Sequence, residues 1–357
     1  MCASTLPIGP SVFVRADLES LSPEASPFVG WRLTRPRLSP PASTAYPAAR
    51  PLLFLVFGNA LWAGTYAAGK TALAQLSFIE LNALRFTLAT LLLLPVLWAG
   101  RSIAARELSD RHSLRGLARL VILGFVLNKA FEYAGLSLST AVDVALLIAT
   151  ESIFTAVLSW IVLDEPVTPS GITALLIGLA GAYLVVARGL VPDLAGPGGL
   201  QRIVGDLLVI FALLFEAGYT VGGKASLKRI PPLLLTGFSV AGSLLVWIPA
   251  GAIAMVHYGL PHMVLGTWLA VGYMAVFATV GGYWMWFRGL SVIDASAAAP
   301  FLFIQPLLGA ALGVALLGES VTWATIVGAV LILSSLMIVT LGASRREAEL
   351  LVSEPPQ

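Results

Sequence analysis

The sequence predicts an all-α integral membrane protein, with ten transmembrane helices arranged as two inverted five-helix repeats around a central cavity. Three observations carry this. The composition is too apolar for water, ten apolar runs follow one another from Pro51, and the second five repeat the first at a constant offset of 154 residues.

Of the 357 residues, 58% are hydrophobic and 11% charged, and the mean hydropathy is +0.89. A soluble domain carries roughly 25% charged residues, and water does not solvate so much apolar side chain. The net charge of +2 is small. One cysteine, Cys2, excludes disulfides within the chain and cysteine-based metal sites. His112, His257 and His262 lack metal-ligand spacing, and there is no Walker A loop. The expectation is no cofactor, no metal and no nucleic-acid partner. The expected partners are a small-molecule substrate and the lipid bilayer, with monomer and homodimer both open.

Residues 1–50 are rich in Pro, Ser and Arg and hold no apolar run of membrane-spanning length. They lack the apolar core of a secretory signal and read as a disordered cytoplasmic tail. Asp17, Glu19 and Glu24 disfavour a transit peptide. A misassigned start is a third reading, although Met255 is the next methionine.

The expected spans are 51–73, 80–99, 116–136, 140–163 and 169–187, then 204–225, 233–256, 264–289, 294–317 and 321–341, each near the twenty residues a bilayer requires. At the offset of 154, Gly64 matches Gly218, Gly69-Lys70 matches Gly223-Lys224, and Pro95 matches Pro249. "LDEPVT" at 163–168 recurs as "LGESVT" at 317–322. Lys, Pro and Glu matches in one gap-free register indicate internal duplication. Because five is odd, the second copy enters the membrane from the opposite side, an architecture of secondary transporters.

The domains are then a first five-helix repeat at 51–188, an external linker at 189–203, a second repeat at 204–341 and a cytoplasmic tail at 342–357. The positive-inside rule gives the orientation independently. Arg15, Arg32, Arg35, Arg37 and Arg50 lie in the tail, and Arg101, Arg106, Arg111, Arg115 and Arg119 lie in the loop between helices 2 and 3. Lys228, Arg229, Arg288, Arg345 and Arg346 fall on the same side, while the outer segments hold only Lys70, Arg188 and Arg202. Both termini are therefore expected in the cytoplasm of a multi-pass plasma (inner) membrane protein.

The stretches "ALWAGTYAAGK", "ALRFTLATLLLLP" and "AGLSLSTAVDVALLIATESIFTAVLSWIVLDEPVT", with the second copy "RGLSVIDASAAAPFLFIQPLLGAALGVALLGESVT", resemble the EamA-type repeat of the drug/metabolite transporter superfamily. The resemblance spans Pro51 to about Leu341 and is most specific at the repeated L-x-E-x-V-T. It implies two inverted halves around a cavity lined by helices 1, 3, 4, 6, 8 and 9, and export of small metabolites, often amino acids. Where the family commonly has Glu-Pro in helix 4, this chain has Glu151-Ser152, and the second copy has Gln305-Pro306. A proline kink is thus expected in helix 9 and not in helix 4.

A charge at the centre of a membrane helix costs about 2.5–3.5 kcal/mol on the insertion scale, so such residues face a wet cavity or a partner. Asn128 and Glu132 share a face of helix 3, and Lys129 is placed to pair with Glu132; a self-neutralising pair and a cavity ligand both remain open. Glu151 lies midway along helix 4 with no cation four residues either side. It is either a neutral acid bonded to a neighbouring helix or the titrating group, since low dielectric penalises the charged form. Glu216 stands where the first copy has Trp62, which breaks the symmetry. Asn59, Trp62, Tyr66 and Lys70 form one stripe on helix 1, and Tyr283 and Trp286 form another on helix 8. Gln305, at the Glu151 position, completes the ring. The expected cavity residues are therefore Asn59, Trp62, Tyr66, Asn128, Glu132, Glu151, Glu216, Tyr283, Trp286 and Gln305, with Glu151, Glu132 and Glu216 the candidates for proton coupling. No catalytic residue is expected.

Four further assignments are structural. Arg85 snorkels or pairs with Glu80, and Asp143 caps helix 4 or reaches headgroup water. Glu165 and Glu319 end one helix and help start the next, and Arg111, Arg115 and Arg119 anchor to anionic headgroups. The expected function is alternating-access transport of a small organic metabolite, an amino acid or amine. Flipping of a lipid-linked metabolite is the alternative, with a membrane enzyme or a sensor less favoured.

Overall fold

The computed structural model describes residues 49–139, 141–165, 168–187, 199–259, 261–317 and 322–353. The chain divides into two units, Met1–Pro41 and Ala42–Gln357, and every described residue belongs to the second. All regular structure among the described residues is helical. In order these are α1 (Ala49–Ala63), α2 (Thr65–Leu73), α3 (Phe78–Ala99), α4 (Arg101–Ser109), α5 (Arg111–Leu120), a π stretch (Val121–Leu127), α6 (Asn128–Leu138), α7 (Ala141–Leu163) and α8 (Pro169–Ala187). There follow α9 (Gly199–Ser226), α10 (Pro232–Tyr258), α11 (Leu265–Tyr273), a second π stretch (Met274–Gly282), α12 (Tyr283–Leu290), α13 (Ala295–Ala298), a 3-10 turn (Ala299–Phe303), α14 (Ile304–Leu317) and α15 (Trp323–Ser353).

Five described helical stretches are long and apolar enough to cross a membrane: Arg50–Leu73, Phe78–Ala99, Leu200–Ser226, Pro232–His257 and Leu265–Leu290. Shorter apolar helices occupy Leu147–Leu163, Pro169–Leu184, Ala295–Gly309 and Trp323–Ile338. Large apolar side chains such as Trp98, Trp160, Leu245 and Val256 are exposed on their outward faces, as helices bathed in lipid require.

Local chemistry sets the helix ends. Ser77 and Glu80 form a reciprocal capping box at the start of α3. Thr168 Oγ1 accepts from the Gly171 N–H at 2.9 Å, and Thr322 Oγ1 accepts from the Thr325 N–H at 3.2 Å. Asp110 caps α5 through the Ser113 N–H at 2.8 Å, and that bond holds its carboxyl below the usual carboxylate range. The segment expected as a loop at Arg101–Arg119 is helical, because this cap lets α5 begin before the apolar residues do.

The repeat survives in three dimensions. The two π stretches occupy corresponding places and lead into α6 and α12. Each wider turn re-phases the helix after it, and such turns occur often at functional sites. Lys70 Nζ donates to the Ser139 carbonyl and Lys224 Nζ to the Ile293 carbonyl, both at 2.5 Å, and both donors and acceptors are 154 residues apart. α7 runs unbroken, whereas its counterpart is interrupted by the 3-10 turn that ends before Pro306. The proline cannot donate to the carbonyl four residues back, which frees that turn.

The two halves touch at both ends. At one end Gln75 accepts from Val264 N and Thr267 Oγ1, and Ser139 Oγ donates to Asp206 near the start of α9. At the other, Arg229 donates to Ser113 Oγ, and Lys224 near the end of α9 pairs with Glu165 at the end of α7. α6 and α9 approach closely through Gly135 and Gly205: a Cβ on Gly135 would lie 2.6 Å from the Gly205 carbonyl, and one on Gly205 would lie 2.8 Å from the Gly135 carbonyl. Small residues of this kind allow helix backbones to touch in a membrane.

Gly135→Val and Gly205→Val are each expected to lower stability by roughly 1–3 kcal/mol through overpacking against backbone. Gly116→Ala, where an added Cβ meets nothing within 4 Å, is expected to leave the melting temperature of the detergent-solubilised protein unchanged. Equal stability of all three variants would refute the tight α6–α9 contact.

Candidate functional site

A buried lysine organises the site. Lys129, one residue into α6, is 6% exposed, and its Nζ lies 2.6 Å from Glu132 Oε2 and 3.4 Å from Glu216 Oε2 on α9. The first contact is within one helix, at the i, i+3 spacing that stacks side chains on one face. The second crosses to the other half. Glu216 Oε2 is buried, and its contact with Lys129 is the longer of the two. The ammonium also sits 5.7 Å from the centre of the Tyr283 ring, within the range of a cation–π contact. Lys129 and Tyr283 are repeat equivalents, as are Glu132 and Trp286. The charged face of α6 thus meets its aromatic counterpart on α12.

These groups border an internal cavity of about 30 Å³. One water needs about 10–15 Å³, so the space suits at least two or three waters. Of the ten expected cavity residues, eight line it: Trp62, Tyr66, Asn128, Glu132, Glu151, Glu216, Tyr283 and Gln305. Asn59 and Trp286 stand behind the lining. Asn59 is fully buried, donates to the Leu55 carbonyl at 2.8 Å and accepts from Gln305 Nε2 at 3.0 Å. Trp286 donates to Thr220 Oγ1 at 3.3 Å and its ring tilts against Trp62. Trp62 is held in turn by donating to the Ala278 carbonyl at 2.8 Å, in the second π stretch. Asn128 donates to the Ala212 carbonyl at 2.8 Å, and its Oδ1 is buried without a partner.

Arg85 requires a correction. It does not snorkel, nor does it pair with Glu80, whose carboxylate is held by Ser77. It is 1% exposed and lines the cavity. Its Nε donates to Thr279 Oγ1 at 2.7 Å and its Nη1 to Tyr133 Oη at 2.6 Å. The rings of Phe86 and Tyr133 lie 5.3 and 5.5 Å from its guanidinium carbon. A hydroxyl on each of two neighbouring segments satisfies the cation where no acid does. The repeat held the missed signal, because Arg85 stands opposite Ser239, an asymmetry of the same kind as Glu216 for Trp62. Thr65 and Leu213 also line the cavity without having been anticipated.

The lining therefore holds two cations and three carboxylates. Lys129 serves Glu132 and Glu216, whereas Glu151 has no cation within ion-pair distance among the described residues. Such an arrangement can exchange a cation or a proton.

Glu165 also differs from expectation. It does not help start the following helix, where Thr168 is the cap. Its carboxylate accepts from Ser296 N at 3.0 Å, in the first turn of α13, and pairs with Lys224 at 3.1 Å. The left-handed backbone of Asp164 (φ 54°) turns the chain toward that contact. The side chain of Asp143, and Glu319 altogether, lie outside the described residues.

The chain matches the EamA-like transporter family over residues 49–187 and again over 203–341. It is 26% identical over 291 residues to an "Uncharacterized transporter" of Archaeoglobus fulgidus, covering 81% of this chain and 96% of that protein. It is 25% identical over 283 residues to "Uncharacterized transporter YyaM" of Bacillus subtilis, covering 79% and 91%. A solved crystal structure superposes with a TM-score of 0.65 at 19% identity, covering 83% of this chain and 97% of that one; it shares the fold. With both matched segments together spanning well over half its length, the chain belongs to the EamA-like transporter family.

Proposed function

We propose that the protein is a ten-helix secondary carrier of a small organic metabolite, an amino acid or an amine, exported across the plasma membrane by alternating access of two inverted halves. The observation that carries this reading is the convergence of Arg85, Lys129, Glu132, Glu151 and Glu216, drawn from both halves, on one water-sized internal space. Buried ionisable groups in a membrane protein mark substrate and proton paths, and carriers built from repeats place them at the repeat junction. The meeting of the end of α2 with the start of α11, and of the end of α6 with the start of α9, supports inverted insertion, with both termini cytoplasmic.

In this conformation the space is too small for a metabolite, so cargo enters only when one end opens. The ties between halves at the two ends, Ser139 to Asp206 and Gln75 to Val264 at one and Lys224 to Glu165 at the other, are the contacts that opening must break. Glu151, Glu132 and Glu216 handle the charge that moves with cargo, and Arg85 fixes α3 to the second π stretch and to α6.

In proteoliposomes, Glu151→Gln is expected to abolish metabolite flux driven by a pH gradient while the protein still elutes as a folded species; undiminished driven flux removes Glu151 from the mechanism. Tyr133→Phe and Thr279→Val each strand a guanidinium N–H. Each is expected to cost about 1.5–3 kcal/mol, the range for hydrogen bonds to charged groups, read as a fall in thermal stability. A neutral result for both would deny Arg85 its anchoring role.

A further inference from the structure

The two copies differ at one pair of positions in a way that leaves a carboxylate open. In the register of 154 residues, Gln305 corresponds to Glu151 and Asn59 to Leu213. Gln305 and Asn59 form a closed pair between α14 and α1: the Gln305 amide donates to Asn59 Oδ1 at 3.0 Å, and Asn59 donates onward to the Leu55 carbonyl. At the symmetry-related junction, between α7 and α9, the position of that asparagine is taken by a leucine. Leu213 lines the same cavity and is 2% exposed, and it offers no donor. Glu151 is itself 5% exposed.

We propose that this exchange makes Glu151 an open cation half-site for the amino group of an organic ammonium cargo, with Leu213 keeping the site open by withholding the donor that the other half supplies. The inference rests on the carrier reading and names its cargo by charge. The other carboxylates are occupied, because Lys129 already serves Glu132 and Glu216. Lys129 also shows what the surroundings accept: its own primary ammonium rests between carboxylates and over the Tyr283 ring. Trp62 and Tyr66 add two further aromatic faces to the lining, and such faces favour an organic cation over a hydrated metal ion. Leu213 is a positioning residue here, since it touches no charge itself.

The test uses the full chain in lipid nanodiscs, with ethylammonium chloride as probe against sodium chloride at equal ionic strength. Ethylammonium is expected to raise the unfolding temperature of the wild type in a saturable way, as a ligand bound only to the folded state must. Leu213→Asn gives Glu151 an internal donor and is expected to raise the half-saturating concentration about tenfold, the scale of a hydrogen bond to a charged group. Glu151→Gln is expected to abolish the response. Should Leu213→Asn fold poorly, the double variant Glu151→Gln with Leu213→Asn rebuilds the Gln–Asn pair of the other half and is expected to fold and to ignore ethylammonium. A wild-type half-saturation in Leu213→Asn, or an undiminished response in the double variant, would overturn the proposal. So would a wild type whose stability responds to pH and not to ethylammonium, which assigns Glu151 to the proton alone. Binding requires no turnover, so a protein that binds ethylammonium and moves no metabolite sinks the carrier reading and leaves the half-site standing.

Discussion

An ammonium group buried between two helices of different halves must be paired, and the pairing of Lys129 with Glu132 and Glu216 is the constraint on which the rest of the structure turns. Removing such charges from water costs several kcal/mol for each ion even after relaxation, and only close geometry recovers it. The structure supplies that geometry by steric means. Gly135 and Gly205 bring α6 against α9, and the π stretch before α6 sets the direction in which Lys129 and Glu132 project. A space large enough for two or three waters lies beside what pairing leaves unmet, including Asn128, whose Oδ1 is buried without a partner.

Duplication supplies the scaffold and divergence supplies the site. What the copies share is structural: lysines tied to carbonyls at helix ends, threonine caps, paired π stretches. What they do not share is chemical. Lys129 and Glu132 oppose Tyr283 and Trp286, Glu216 opposes Trp62, Arg85 opposes Ser239, and Glu151 opposes Gln305. A symmetric cage would bind a symmetric ligand, and these exchanges give the cavity a charged side and an aromatic side. They also distribute its charges unevenly, with no cation among the described residues within ion-pair distance of Glu151.

Much of this was legible in the sequence because the signals were local. Apolar run lengths placed the helices close to their observed bounds, and helical spacing placed Asn128 and Glu132 on the cavity face. Repeat comparison found Glu216. The failures concern partners on other helices. Arg85 read as a snorkelling residue because its own helix offered only Glu80, and the hydroxyls that hold it come from residues 48 and 194 positions away. Asn59 shared the stripe of Trp62, yet it is turned to Gln305 by a bond that no spacing within α1 encodes. Leu213 carries no polar signal at all, and its meaning emerges only from the position it occupies opposite Asn59.

The most direct measurement is a double-mutant cycle on Lys129→Gln and Glu216→Gln, read as unfolding free energy of the detergent-solubilised protein. A cross-half ion pair at this junction should give a coupling energy of about 0.5–3 kcal/mol, the range for residues in one charged network. The double variant should lose less stability than the two single losses sum to, because each single variant leaves its partner uncompensated. Strict additivity of the two substitutions would mean that the halves are not joined through these charges.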